Sequence, residues 1–279
     1  MIKPLSLELY KIFKRPRTYI SFGLVTAIAL VIQLAMCSGG KEFLSFGMQG
    51  ITEQFAIQGN VLNGYLVAYI ILQSLLIHIP LLIALVAGDS IAGEANMGTL
   101  RLVLTKPISR SRLVIIKFTA SIIYSLLLII WLAVVALFLS LFLFGKGDMI
   151  NMKSDTFILL LQDDIMWRYF CAFAFASLAM TTIVSLSLLL SAFAENSIGP
   201  IMATMAIVVV LTILSNLELP LFNLIKPYLF TTHMIGWKGF FDDPVPYKAI
   251  RNSALVLSFY TLGLLLMTII YFNKKDIKS

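Results

Sequence analysis

The acidic side chains that lie close enough in sequence to do chemistry together are Asp148, Asp155, Asp163 and Asp164. Grouped carboxylates can serve as general acids and bases or as metal ligands. They fall in one short polar segment between two apolar runs. We interpret them as a solvated face, and an enzymatic role stays open as an alternative.

The common sequence templates for catalysis, phosphate binding and metal binding are absent. The chain contains no G-x-x-x-x-G-K-[ST], H-E-x-x-H, C-x-x-C or G-x-S-x-G motif. Its two histidines, His78 and His233, are isolated, and we expect Cys37 and Cys171 to be free thiols. We predict no catalytic residue, no metal site and no ATP site in this chain.

The apolar pattern predicts an all-α integral membrane protein. The 279 residues are 59% hydrophobic and 13% charged, against about 25% charged in an average soluble domain. Six runs reach the ~20 residues that a helix needs to cross a bilayer. They span residues 18–36, 65–87, 118–144, 170–194, 197–215 and 254–272. We expect one transmembrane domain over 1–279, with helices because an open sheet leaves its backbone unpaired in lipid.

The distribution of basic residues predicts the orientation. Of the 21 Lys and Arg, 13 lie in residues 1–17, in the loop 88–117 and in the tail after residue 272. The longer loops on the other side carry 8. Positive charge concentrates on the cytoplasmic side, so both termini are expected there. The net charge of +7 is explained by membrane lipids, and we expect no nucleic acid.

Two segments outside the spans have a distinctive pattern. In residues 1–17, Leu5, Leu9, Ile12 and Phe13 follow a helical spacing opposite Glu8, Lys11 and Lys14, which predicts an amphipathic helix in the cytoplasmic interface. The loop 216–253 is apolar and aromatic and is interrupted by prolines. It is expected to form short helices that cap the spans or dip into the outer leaflet.

The loop 88–117 combines polar, basic and apolar positions. Residues 98–104 have the composition of a short helix that Pro107 must stop, and Ser109 or Ser111 is placed to cap the next helix. Leu100, Val103 and Leu104 would give that short helix one apolar face. Spacing alone leaves two readings open, a docking site for a partner and a turn at the membrane surface.

A family resemblance favours the first reading. Glu94, Gly98, Thr99, Leu100, Leu104, Pro107, Ser109, Arg110 and Lys117 together resemble the E-x-x-x-G-T-L…L-x-x-P-[VI]-S-R…K signature of ABC-2-type permeases. These are the membrane subunits of bacterial ABC exporters of the type V fold. The resemblance extends over the six spans to the tail "YFNKKDI".

The resemblance implies a site and its partners. Gly98 to Leu104, with Val103, would form a coupling helix that docks on a separate ATPase subunit, and Glu94 would orient it. Arg110 and Lys117 would anchor the next span at the lipid boundary. Two ATPase subunits would bind MgATP, a second permease copy would complete a dimer, and the location would be the bacterial cytoplasmic (inner) membrane. The cofactor would sit on the partner, with none in this chain.

Polar and sulfur-containing residues in two spans are candidates for a surface that faces substrate or the second copy. These are Gln73 and Ser74 in the second span, and Met202, Thr204 and Met205 in the fifth. In the fourth span, the hydroxyls from Thr181 to Ser191 are expected to serve close helix packing.

The expected function is that of a permease subunit which couples ATP hydrolysis by another chain to export. Two alternatives of a different class remain. One is a membrane-embedded enzyme that modifies lipids, and the other is a structural or regulatory membrane subunit without transport.

Overall fold

The computed structural model describes residues 2–47, 61–100, 108–152, 157–217 and 223–275, and these are mostly helical. The helices are α1 Ile2–Lys14, α2 Pro16–Gly47, α3 Gly64–Ser74, α4 His78–Ala87, α5 Asp89–Asn96, α6 Arg110–Ala133, α7 Leu139–Phe144, α8 Gln162–Phe193, α9 Ile198–Asn216, α10 Phe230–Met234 and α11 Tyr247–Lys274. A π-helical turn, Val134–Phe138, joins α6 to α7, and 3-10 helices cover Lys226–Tyr228 and Ile235–Phe241.

The chain has the helices of a membrane-spanning protein. Within the described residues, five helical stretches are long and apolar enough to cross a membrane: Pro16–Gly40, Arg110–Phe144, Gln162–Phe193, Ile198–Asn216 and Tyr247–Lys274. The α3–α4 pair makes a sixth if it counts as one span. The helices extend beyond the predicted apolar runs because polar residues at their ends continue the backbone hydrogen-bond ladder, which the search for apolar residues cannot detect.

The second span, predicted as one helix over 65–87, is broken in its middle. α3 and α4 are bent by 54° at the turn between Ser74 and His78. The break precedes Pro80, which has no N–H to donate to the carbonyl four residues earlier and whose ring clashes there. Proline is the usual cause of a sharp helix bend.

The spans run between two ends of the bundle, which we name for their contents. The charged end holds α1, α5 and the carboxyl end of α11, where Lys275 Nζ donates to the carbonyl of Ala192 at 2.8 Å. The hairpin end holds the only strands among the described residues, β1 Met149–Met152 and β2 Phe157–Leu160, which pair antiparallel. The segment 145–169 was predicted as a loop, so the hairpin is a correction.

Packing against α8 confirms the predicted use of its hydroxyls. Thr182 Oγ1 lies 3.0 Å from Thr261 Oγ1 of α11, and Ser187 Oγ donates to the carbonyl of Ala84 in α4 at 3.3 Å. Both side chains are fully buried. Small polar residues let helices approach closely and bond across the contact.

Short helices fill the loop after α9, as expected. The aromatic ring of Trp237 packs on Tyr69 of α3 at 5.8 Å between centroids, and Phe241 packs on the same ring at 5.0 Å. Arg168 of α8 donates to the carbonyls of Phe240 and Asp242 at 3.0 and 2.7 Å. The loop is therefore fixed against the hairpin-end halves of α3 and α8.

Two glycines give a matched test of this packing. A Cβ on Gly64 would lie 2.6 Å from the Cα of Leu141 and the carbonyl oxygen of Ser140, whereas a Cβ on Gly23 would meet nothing within 4 Å. Because backbone atoms cannot move aside, we expect Gly64→Ala to lower the free energy of unfolding by about 1–3 kcal/mol. Gly23→Ala is expected to be neutral or stabilising by up to about 1 kcal/mol. Thermal unfolding in detergent measures both, and equal midpoints would contradict the α3–α7 contact.

Candidate functional site

A group of charged side chains, four of them buried, occupies the charged end of the bundle. It combines three acids with four bases from α1, the start of α2, α5 and α6. We call it the charge cluster, and its members are Glu8, Lys11, Arg15, Arg17, Asp89, Glu94 and Lys117. A cavity of about 30 Å³ lies among them.

Lys117 is the centre of the cluster. Its side chain is 1% exposed, and its ammonium lies 3.0 Å from Glu8 Oε2 and 2.9 Å from Glu94 Oε2. It also donates to the carbonyl of Ser90 at 2.7 Å. One ammonium thus joins α1, α5 and α6. The lipid-boundary role predicted for Lys117 does not fit this position, because carboxylates take up its charge inside the protein.

Asp89 forms the second half of the cluster. Its side chain is 2% exposed and pairs with Arg15, and with Arg17 through Nη1 and Oδ1 at 3.0 Å. Gly93 lies one turn further along α5, where a Cβ would come within 2.7 Å of the Asp89 carboxyl carbon. A glycine here leaves room for the Asp89 carboxylate beside the two guanidinium groups.

Glu8 and Lys11 face inward from α1, opposite to the predicted arrangement of this helix. Lys11 Nζ bonds to Glu8 Oε1 and Glu94 Oε1, both at 2.7 Å. Burial alone would raise the pKa of Glu8, but Lys117 and Lys11 outweigh it and hold that pKa below its ordinary value. Burial likewise opposes the charge of Lys11, and its bonds to Glu8 and Glu94 raise the Lys11 pKa. The side of α1 that packs against α6 therefore carries charged residues, because the buried ammonium of Lys117 needs a carboxylate such as Glu8 beside it.

The helix α5 is also fixed on its other side. Ser191 Oγ of α8 accepts from the backbone N–H of Ile91 and Ala92 at 3.2 and 2.9 Å. The charged end also holds an apolar cluster, and its members are Ile91, Leu100, Leu113, Val114, Leu188, Ala192 and Phe272. The segment from Asp89 to Leu100 is thus attached to α1, α6, α8 and α11.

The structure divides the predicted docking residues into different environments. Glu94 is buried, Gly98 is exposed with a left-handed backbone (φ +68°), and Thr99 Oγ1 bonds to the carbonyl of Glu94 at 3.3 Å. Leu100 is 4% exposed within the apolar cluster, so it contacts this chain and does not face a partner as predicted. Val103, Leu104 and Pro107 lie outside the described residues.

Ser109 and Arg110, at the start of α6, each cap a helix end. Ser109 is its N-cap and accepts from the N–H of Arg112 at 3.4 Å, so the predicted cap is confirmed. Arg110 Nη1 donates to the carbonyls of Phe272, Asn273 and Lys275 at 3.3, 3.3 and 2.6 Å. It thereby caps the carboxyl end of α11, where cations are favoured.

The residues predicted to face substrate or a second copy differ in exposure. Gln73 and Ser74 are exposed at the break between α3 and α4. On α9, Met202 is 63% exposed and Met205 is half-buried. Thr204 is fully buried and bonds to the carbonyl of Pro200 at 2.7 Å, so its hydroxyl serves its own helix and the prediction for Thr204 is corrected.

Of the aspartates considered for chemistry, Asp148 and Asp164 serve local structure, and Asp163 is exposed in the first turn of α8. Asp148 Oδ1 accepts from the backbone N–H of Gln162 at 2.8 Å, and Asp164 Oδ2 accepts from Arg168 Nε at 2.7 Å. Asp155 lies outside the described residues. Among the described residues, no three His, Cys, Asp or Glu side chains are grouped as metal ligands.

Comparison with known proteins identifies a family. Residues 19–278 match the model of a family described as "Protein of unknown function (DUF2705)". The chain belongs to the DUF2705 family. No curated protein matches this DUF2705 chain. The match includes Asp89, Glu94 and Lys117 of the charge cluster and begins after Arg17.

Sequence reasoning missed most of the cluster. Only Glu94 and Lys117 were named as site residues, and Asp89, Arg15 and Arg17 were not. The available signal was the pair of acids Asp89 and Glu94 directly after an apolar run, on the same predicted side as the basic residues 1–17. Buried acids at a helix end need cationic partners, and the basic residues of segment 1–17 are the nearest such partners on that side.

Replacement of Lys117 tests the central ion pairs. Lys117→Met leaves Glu8 and Glu94 buried with one cation fewer, so we expect the free energy of unfolding to fall by about 3–5 kcal/mol. Arg112→Met is the matched control, since Arg112 is exposed in the same helix. Thermal unfolding in detergent is the measurement, and equal midpoints for the two variants would contradict the assigned burial of Lys117.

The pKa of Glu8 predicts an acid limit to stability. Because its folded-state pKa is lowered, Glu8 stabilises the protein fully above its ordinary value of 4.5 and loses this effect as pH falls through the lower folded value. Lys11 behaves in the opposite sense, and its contribution is lost only as pH rises above 10.5. We expect the unfolding midpoint of the wild type to fall more steeply below pH 4.5 than that of Glu8→Gln. Parallel curves would show that Glu8 is not paired as described.

Proposed function

We propose that this DUF2705 protein is the membrane-spanning permease subunit of an ATP-driven ABC exporter. A separate ATPase subunit would bind MgATP, two ATPase copies would act with two permease copies, and the charged end would face the bacterial cytoplasm. The observation that carries the proposal is the exposed turn of Met97 and Gly98 after α5, which we call the tip. Buried residues on both sides attach this tip to the rest of the chain.

The tip is the site proposed for docking. Met97 is 56% exposed and Gly98 is exposed in a left-handed backbone, while Glu94 before them and Leu100 after them are each 4% exposed. An exposed apolar side chain on a rigidly held turn suits a protein contact. This position coincides with the segment that resembles the coupling loop of ABC-2-type permeases.

The attachments would transmit a displacement of this tip. Glu94 is bonded to Lys11 of α1 and paired with Lys117 of α6, and Leu100 packs among residues of α6, α8 and α11. Movement of the tip would therefore act on four helices together. Closely packed elements transmit small shifts because they deform little.

The energy for transport would come from the partner. The sequence has no phosphate-binding loop, and none of the six predicted spans contains Asp, Glu, Lys or Arg. Ion-coupled carriers commonly use an intramembrane carboxylate. An external ATPase that acts on the charged end is the source of energy consistent with these features.

Purification of partners tests the proposal. We expect a detergent pull-down of the full chain from its native host to recover an ATPase with a phosphate-binding loop, identified by mass spectrometry. Met97→Glu is expected to remove most of it, because a carboxylate would be desolvated in the docking contact. Leu100→Asp would not test docking, since Leu100 is buried in the core of this chain.

The controls separate docking from folding. Met97→Leu keeps an apolar side chain of similar size and should retain the ATPase, and both variants should elute from size exclusion like the wild type. Recovery of no ATPase by the folded wild type would refute the proposal. Equal recovery by wild type and Met97→Glu would refute the assigned docking tip.

A further inference from the structure

Polar side chains are exposed at the middle of the second span. Gln73 and Ser74 end α3, His78 begins α4, and all three are exposed at the 54° break between these helices. His78 Nδ1 lies 3.1 Å from the carbonyl of Ser74. The break lies about midway between Gly64 and Ala87, so it is near the centre of the membrane if the α3–α4 pair is one span.

A surface of this kind is unfavourable against lipid. Polar side chains at membrane depth face a protein interior or water, and irregular backbone there is tolerated only under the same conditions. Pro80 has no N–H, so the carbonyl of Leu76 lacks its usual helical donor. Broken spans in transporters commonly mark the place where a substrate binds.

A positive charge adjoins this polar surface. Lys238 Nζ donates to Gln73 Oε1 at 2.7 Å. Among the residues that the structure describes, Lys238 forms no ion pair. Burial lowers its pKa, as expected for an ammonium that no carboxylate compensates. The Lys238 ammonium and the amide N–H groups of Gln73 can donate to anionic oxygens. The Ser74 hydroxyl donates to the carbonyl of Ile70 at 2.9 Å, and His78 Nδ1 lies against the carbonyl of Ser74.

An apolar cavity is lined by sequence neighbours of these residues. It has a volume of about 50 Å³ and is lined by Leu72, Leu76 and Ile79 of the broken span and by Trp237, the neighbour of Lys238, among others. The cavity borders both elements that carry the polar groups. A ligand that fits both parts has an anionic group and an apolar part.

We propose that Lys238 and Gln73 form a binding site, at the break of the second span, for the phosphate or carboxylate of an anionic amphiphile. The amphiphile is the class of substrate that the proposed exporter would move, so the inference rests on the proposed function for that role. Lys238 supplies the charge, the amide N–H groups of Gln73 supply hydrogen bonds, and the cavity takes the first part of the apolar chain.

Access of water to Ser74 tests the surroundings of the site. In a Cys37→Ala, Cys171→Ala background, we expect Ser74→Cys in native membranes to react with a charged, membrane-impermeant thiol reagent. Ile130→Cys is the control, since Ile130 is 58% exposed on α6 among apolar residues and should react only with a lipid-soluble reagent. Reaction of Ser74→Cys with the lipid-soluble reagent alone would overturn the proposal.

Binding of a defined probe tests the chemistry. We expect radiolabelled dodecyl phosphate to bind the full chain in neutral maltoside micelles, with competition by unlabelled dodecyl phosphate but little by dodecanol or inorganic phosphate. Lys238→Gln should weaken binding by about tenfold or more, the usual effect of losing a charged hydrogen bond. Lys238→Arg keeps the charge and should bind within about threefold of the wild type.

The controls make each result decisive. Lys226→Gln removes a lysine of the same loop away from the break and should leave binding unchanged. Unchanged binding by Lys238→Gln, or equal competition by dodecanol, would overturn the proposal. The assay contains no ATPase, so failure here would leave the ATPase partnership untouched, and failure of the pull-down would leave this binding result intact.

Discussion

Lys117 places an ammonium ion where α1, α5 and α6 meet, with almost no contact with solvent. A buried charge is stable only if opposite charges and hydrogen-bond acceptors surround it. Glu8, Glu94 and the carbonyl of Ser90 meet this requirement, and they belong to segments far apart in sequence. The position of α1, the orientation of α5 and the start of the third span therefore depend on one side chain.

The burial of Lys117 also makes the charged end rigid. α5 is held by ion pairs on one side and by Ser191 of α8 on the other, so the exposed turn of Met97 and Gly98 that follows it has a fixed base. The hairpin end is built differently, from aromatic contacts and a folded loop around the broken second span. In the proposed exporter, a displacement at the charged end would act on the proposed binding site at the break of the second span.

The spans were predictable because each satisfies one local requirement, a run of apolar residues long enough to cross lipid. The cap at Ser109 was predictable for a similar reason, since a serine before a helix bonds within its own turn. The effect of Pro80 was not recognised, although proline in a helix is a local signal. The hairpin Met149–Leu160 was not predicted, because strands of four residues each are too short to give a clear alternating pattern.

The charge cluster was beyond sequence reasoning for another reason. Lys117 at the start of an apolar run has the pattern of a residue that reaches toward lipid headgroups. Its true partners become visible only when α1 folds back on α5, a long-range contact that no periodicity encodes. Leu100 illustrates the same limit, because an apolar residue in a polar loop can face a partner or the core of its own chain.

Docking of an ATPase subunit on the turn at Met97 is tested most directly by photocrosslinking from position 97 in intact native cells. A photoreactive amino acid in place of Met97 samples the neighbours of the exposed tip, and one in place of Tyr19, which is 63% exposed on the first span, serves as the control. If this tip docks on an ATPase subunit, position 97 crosslinks to that subunit and position 19 does not. Crosslinks from position 97 only to lipid or to other copies of this chain would contradict it.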